Sequence, residues 1–328
     1  MKKITAIIAA LLFFCSCTSD NKPYKERSIG GSGEILLVTQ NDEQFKGEIG
    51  ETVRSFFEVP MYGLPQPEPT FKVAHVNKNG FEGMFQKHRN IIMFEVDKNL
   101  EKPMVEYSED WKAAPQFVMK IKASTEQAAT NIFERRKDEL KEHFEANERE
   151  RFQTFFRATA EKNVMKKLND KFNISMIIPE GYMVAVDAAD FLWLRKETQF
   201  MSYGMFIYQR PYVSEGDIDT LSLVNARNAY LMQYVPGPTD GSYMTTDTNF
   251  ITPRFRIIPD FPAGYAVEMR GLWKVEGDFM GGPYVSYTVV NPTHDKLITV
   301  EGFIYYPNKK KRDFIRQHES VLRTLKFI

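Results

Sequence analysis

The sequence predicts an α+β protein: a small α/β N-terminal domain, a long charged central helix or helix pair, and a C-terminal antiparallel sheet with covering helices. Three observations carry this. From residue 34 to 122, short apolar runs alternate with helical spacings, the pattern of a sheet with crossover helices. A highly charged stretch without Pro or Gly then runs from Ser124 to Phe172. Beyond Phe172, alternating apolar and polar positions recur between turn residues at antiparallel-sheet spacing.

An export segment comes before the fold. Lys2 and Lys3 precede the apolar run 4–14, which ends in Phe14-Cys15-Ser16-Cys17. A positive start, a short apolar stretch and a small residue ahead of a cleavage point make a secretory signal, here residues 1–16. The run is too short for a membrane-spanning helix, which needs roughly 20 residues. Ser16 followed by Cys17 reads as a bacterial lipobox, with Cys17 as lipid attachment site and first mature residue. Three acyl chains, at about 0.8 kcal/mol per buried CH₂, hold a protein durably on a membrane. Thr18 rather than Asp follows Cys17, which points to the outer membrane. Residues 17–33 are small and polar and read as a flexible tether. Gly30-Gly31-Ser32-Gly33 precedes a strand instead of joining a strand to a helix, so it reads as linker, not phosphate loop.

The N-terminal α/β domain is expected over 34–122. Its strands are 34–39, 71–76, 90–96 and 116–122, with a helix at 47–58 stopped by Pro60 and a short helix at 81–86. Pro65, Pro67 and Pro69 make the intervening loop extended. The central helical segment, 123–172, starts with Ser124 as N-cap and Gln127 three residues on, a capping box. Ile132, Phe133, Leu140 and Phe144 form one apolar stripe, and Phe152, Phe155, Phe156, Val164, Met165, Leu168 and Phe172 another. One long helix, or two bending near Asn147, packing on the neighbouring sheets, is expected.

The C-terminal α+β domain is expected over 173–328. Strands are predicted at 174–178, 182–186, 191–195, 201–209, 265–275, 284–290 and 297–306, and a helix at 221–233. In 265–275, Tyr265, Val267, Met269, Trp273 and Val275 face one way, and Glu268, Arg270, Lys274 and Glu276 the other. The chain closes in an amphipathic helix with Phe314, Ile315, His318, Val321, Leu322 and Leu325 on one face.

Composition narrows the function. Lys plus Arg and Asp plus Glu each number 43, so the net charge is zero, and no basic excess favours nucleic acid as a partner. Of the two Cys residues, Cys15 lies in the signal and Cys17 is the lipid attachment site, leaving the mature domains to rest on their hydrophobic cores. Those have 26 Phe, 15 Tyr and 3 Trp to draw on.

No motif announces chemistry. Among His75, His88, His143, His294 and His318, no pair has the one-turn spacing of a zinc helix. The G-x-S-x-G elbow is absent, and the lone Ser19-x-x-Lys22 lies in the tether. Glu215-Gly216-Asp217-Ile218-Asp219 lacks the spacing of a calcium loop. Lys309-Lys310-Lys311-Arg312 reads as a solvated turn. His88-Arg89-Asn90 precedes a strand, whereas ligand crevices of parallel sheets lie at the carboxyl ends. Tyr203, Tyr208, Tyr212, Trp273, Tyr284 and Tyr287 read as cross-strand packing. No cofactor or metal is expected.

The lipobox, the segment Gly83-Met84-Phe85-Gln86-Lys87-His88-Arg89-Asn90-Ile91-Ile92, the charged central helix, Ile178-Pro179-Glu180-Gly181-Tyr182, Glu301-Gly302-Phe303 and Tyr306-Pro307 together resemble a family of uncharacterised lipoproteins of the Bacteroidota, defined as a domain of unknown function. The resemblance spans the full chain. It implies localisation and architecture and carries over no functional residue. Pro179-Glu180-Gly181-Tyr182 followed by an antiparallel sheet and a final helix is similar to an α/β/α sandwich of some exported accessory proteins, which implies no activity.

Two functions compete. The first is a non-catalytic binding or accessory module, held on the membrane by its lipid and serving an envelope protein partner or ligand; it predicts an exposed apolar patch. The second is an envelope hydrolase with a catalytic site dispersed in sequence; it predicts a concave pocket of carboxylates or histidines with shifted pKa values.

Overall fold

The structure, a computed structural model, describes residues 25–328. The expected signal segment, residues 1–16, and the expected lipid attachment site Cys17 lie outside the described residues. No helix among the described residues is long and apolar enough to cross a membrane.

The N-terminal unit is built on β1 (Glu34–Thr39), α1 (Asp42–Lys46), α2 (Glu48–Phe57), β2 (Lys72–Asn77), β3 (Asn90–Val96), β4 (Met104–Glu109) and β5 (Phe117–Ala123). The strands form one sheet in the order β2-β1-β3-β5-β4, parallel except for β4. The apolar runs of β1 and β3 are buried on both faces, as parallel strands require. Ile49, Val53 and Phe57 of α2 pack on one face with Ile35, Leu37, Ile92 and Phe94. The loop between β2 and β3 covers the other through Phe81. The short helix expected at 81–86 is a single 3-10 turn at Phe85–Lys87.

The central segment differs in two details from the sequence reading. α3 (Glu126–Ala158) is capped by Thr125, whose side chain accepts from the backbone N–H of Ala128, not by Ser124. It continues unbroken past Asn147 and breaks at Thr159–Glu161, before α4 (Lys162–Phe172). The cause is tertiary: the Glu161 backbone N–H donates to the Ile178 carbonyl and its carboxylate accepts from Gly181 N–H at 2.7 Å. Ile132, Phe133, Leu140 and Phe144 face the first sheet. Val164, Leu168 and Phe172 face the second, while Phe155 is exposed.

The C-terminal unit comprises β6 (Ile174–Ser175), β7 (Met183–Ala188), β8 (Phe191–Glu197), β9 (Ser202–Pro211), α5 (Thr220–Tyr234), β10 (Tyr243–Asp247), β11 (Arg254–Phe261), β12 (Gly264–Glu276), β13 (Gly281–Val290), β14 (Lys296–Tyr305), α6 (Arg312–Leu322) and β15 (Lys326–Phe327). An antiparallel sheet runs β10-β12-β13-β14-β9-β8-β7, with β11 sharing the β12 edge beside β10. The strand expected over 174–178 shrinks to β6, paired only with β15. Leu194, Ile207, Val285, Tyr287 and Val300 meet α4 and α6 on one face. Phe191, Phe206, Tyr208, Tyr284 and Phe303 meet α5 on the other. The sheet is thus covered on both sides, and on the charged side of β12 Glu268 and Arg270 are taken out of solvent while Lys274 and Glu276 stay at the surface.

The expected tether is docked over its described end. Arg27 pairs with Ala114 and Ile29 with His88, and the Ser32 carbonyl accepts from Arg312 at 2.9 Å. Gly30 (φ +101°) lies flat on His88, where a Cβ would sit 2.5 Å from Nε2. Gly30→Ala should therefore cost about 1–3 kcal/mol and undock the segment. Limited proteolysis should cut the variant near residue 30 faster than the parent; equal rates would mean the contact is unimportant.

Candidate functional site

The two units meet around a cleft of about 250 Å³. Its parts come from the loop after α2, from α3, from β11 and β12, and from α6. The prolines of that loop keep it extended, and Pro60 bridges back to Pro69. This delivers the buried Glu68 to the start of α6, where it accepts from the backbone N–H groups of Lys311 at 2.6 Å and Arg312 at 3.3 Å. A carboxylate at a helix N-terminus is favoured by the unpaired N–H groups there. Arg312 donates to the Pro69 carbonyl and Arg316 to the Thr70 carbonyl, at 3.0 and 2.6 Å. Lys311 and Arg312 are buried in this junction, so the expected solvated basic turn is reduced to Lys309 and Lys310.

The floor of the cleft is the charged side of β12. Glu268 accepts from Arg270 Nε at 2.9 Å, from Arg256 at 3.3 Å and from the Tyr287 hydroxyl at 2.8 Å. Arg270 also reaches Glu319 of α6 at 3.0 Å. Burial raises the Glu268 carboxyl, but Arg270 and Arg256 outweigh it and hold the group down at about 2. Glu319 is likewise lowered: its desolvation is overcome chiefly by Arg270. Both carboxylates are therefore locked in the ionised form. The pocket holds the shifted carboxylates that a hydrolase calls for, yet the sign is opposite to that of a general acid, which needs a raised pKa.

The wall is α3, with Lys141, Glu145, Glu148 and Arg149. Glu148 is 1% exposed and is occupied from behind. It accepts from Arg151 at 2.6 Å, Asn90 at 3.2 Å and Arg89 at 3.4 Å. His88, beside them, sits 3.8 Å from Glu34 and has its pKa lowered by burial. His88-Arg89-Asn90 thus joins a buried network at the amino ends of the parallel strands. The crevice rule for carboxyl ends does not reach it, because the second unit closes over this end.

The other sequence candidates do not converge. Asp217 accepts from the N–H groups of Val213 and Ser214 and pairs with Arg210. No group of metal ligands forms among the described residues. His75 stacks on Phe45 and His143 on Phe117, while His318 is buried over Gly302. Tyr208, Tyr284, Tyr287 and Trp273 are buried within the sheet layers. Sequence reasoning missed Arg149, Arg254, Arg256 and Arg316 as site residues. A visible signal was Glu268-x-Arg270 on a strand whose other side is apolar.

The family described as a domain of unknown function, DUF4837, matches residues 161–324, half of the 328-residue chain. A second, DUF8532, matches residues 28–157. The gap between the two falls on the break between α3 and α4, which assigns α3 to the N-terminal unit and α4 to the C-terminal one. No curated protein matches the chain. Among solved structures, the chain is similar to the human StarD13 (DLC2) lipid transfer and protein localization domain, at 10% identity over 49% of this chain and 95% of that chain, with a TM-score of 0.24. A score that low carries no argument.

Proposed function

We propose that this chain, which belongs to the DUF4837 family, is a lipid-anchored binding module of the bacterial envelope, taking its ligand or partner group in the cleft between its two units. What supports the reading is the state of the cleft's ionisable groups. Glu268, Glu319 and Glu148 are each tied to arginines, so they shape and polarise the cleft, and Glu268 and Glu319, both lowered, have no proton to give at neutral pH. Cations without a carboxylate partner remain around them, a recognition surface instead of a reaction centre. Capture of the lipidated protein after crosslinking in intact cells tests this. The wild type should bring down one stoichiometric ligand or partner, and Arg149→Glu/Arg254→Glu should lose it. An identical capture profile for the two would refute the cleft as the binding site.

The anchor in this reading is Cys17, reached through residues 18–26. Cys17→Ala should move the protein from the outer-membrane fraction to the soluble one. A variant that fractionates like the parent would mean that the lipid is not what holds it.

A further inference from the structure

We propose that the cleft is a binding site for a small phosphoryl anion, a phosphate monoester or phosphate head group carrying two negative charges. This rests on the binding reading above and names its ligand class. The first support is charge. Lys141 and Arg149 on α3, Arg254 on β11 and Arg316 on α6 line the cleft, and none makes an ion pair within 4 Å among the described residues. Facing them, only Glu145 of the cleft's four carboxylates is not bound to an arginine. An excess of cations converging from three elements calls for an anion.

The second support is Arg316. It is 6% exposed. It stacks on Phe71 with its guanidinium 4.6 Å from the ring centroid, spends Nη2 on the Thr70 carbonyl, and leaves Nε without a partner. A buried guanidinium with an unused donor is costly unless something supplies an acceptor, and its planar fork fits phosphoryl oxygens. Arg254 is held over Tyr62 at 5.7 Å, and the Tyr62 hydroxyl donates to the Thr252 carbonyl. The loop after α2 thereby fixes Arg254 at the mouth. The third support is size. About 250 Å³ lies below the roughly 300–1,000 Å³ of drug-sized sites, which suits a phosphate with a few carbons.

The ligand's contacts come from both units, so binding should also fasten them together. Isothermal titration of the full lipidated chain in neutral detergent, with glycerol 3-phosphate as soluble probe and phosphatidic acid in neutral vesicles as the lipid probe, tests the site. Glycerol 3-phosphate should bind, glycerol should not, and the affinity should fall with salt. Arg149→Gln/Arg254→Gln alters exposed or half-exposed side chains without ion pairs, and should weaken binding on the order of tenfold or more. Lys309→Gln/Lys310→Gln, outside the cleft, should leave it unchanged. If phosphatidic acid binds and glycerol 3-phosphate does not, with the same loss in the cleft variant, the source is a lipid head group and the proposal stands. Binding by neither probe, or a loss that follows Lys309 and Lys310, overturns it. Capture of a partner that needs the cleft, with no phosphate probe bound, would leave the binding reading intact and remove only the phosphoryl assignment.

Discussion

Arg227→Met is expected to cost about 3–5 kcal/mol of unfolding free energy, because it strands a buried charge. Arg227 on α5 and Glu301 on β14 are both 0% exposed at their side chains. Arg227 donates to Glu301 through Nε at 2.8 Å and Nη2 at 2.7 Å, and to Thr246 through Nη1 at 2.8 Å. Its guanidinium lies 3.9 Å from the Tyr284 ring centroid. The pair pins α5 to the sheet. Burial raises the Glu301 carboxyl even with Arg227 in place, so without Arg227 the carboxyl moves further up. A raised carboxyl favours folding below its unfolded value of about 4.3 and loses that contribution as pH climbs through the folded value. The deficit of Arg227→Met should therefore grow with pH. Urea unfolding at several pH values reads it. Arg227→Met/Glu301→Leu, which removes both charges, should recover most of the loss. A double variant as unstable as the single would show that packing, not the stranded charge, sets the cost.

The second large effect belongs to His318. The ring is buried over Gly302, where a Cβ would come within 2.5 Å of it, and its Nε2 has no partner. Burial lowers its pKa to about 4. Below the unfolded value of about 6.5 the unfolded chain takes a proton that the folded chain refuses, so stability falls as pH drops from 6.5 to about 4 and this contribution is flat below. The loss amounts to about 3 kcal/mol across that window. His318→Leu should flatten the profile between pH 6.5 and 4.5. Glu268 and Glu319, lowered in the folded state, act at lower pH: their stabilisation is present above the unfolded carboxylate value and fades as pH falls through their folded values, about 2 for Glu268. An unchanged slope in His318→Leu above pH 4.5 would assign the titration to another group.

What the sequence made legible, and what it hid, follows from where each signal is made. β1 and β3 read clearly because a strand buried on both faces must be apolar throughout. β4, β10 and β11 did not, because edge strands carry polar residues that look like loops: β4 is Met-Val-Glu-Tyr-Ser-Glu and mostly exposed. The α3 break is set by Glu161 bonding to Ile178 and Gly181, contacts made only after the C-terminal unit folds. The alternation of β12 was readable, but not that α6 meets its Glu268 and Arg270 through Glu319. Arg149 and Arg316 sit in charged helices where a solvated face is the ordinary reading, and only the opposing unit turns them into a cleft. Cys17 remains a reading of the sequence, outside the described residues.

The central claim is that the cleft between the two units is where this protein binds. A photo-reactive side chain at Tyr62, on the cleft loop, compared with one at Phe200, exposed on the hairpin between β8 and β9, tests it most directly. After illumination of intact cells, the mass of the intact protein reads a small-molecule adduct and a protein conjugate alike. The account predicts a defined adduct at Tyr62 that disappears in the Arg149→Gln/Arg254→Gln background, and none of that mass at Phe200. An adduct of the same mass at both positions, or one at Tyr62 that persists in that background, would contradict it.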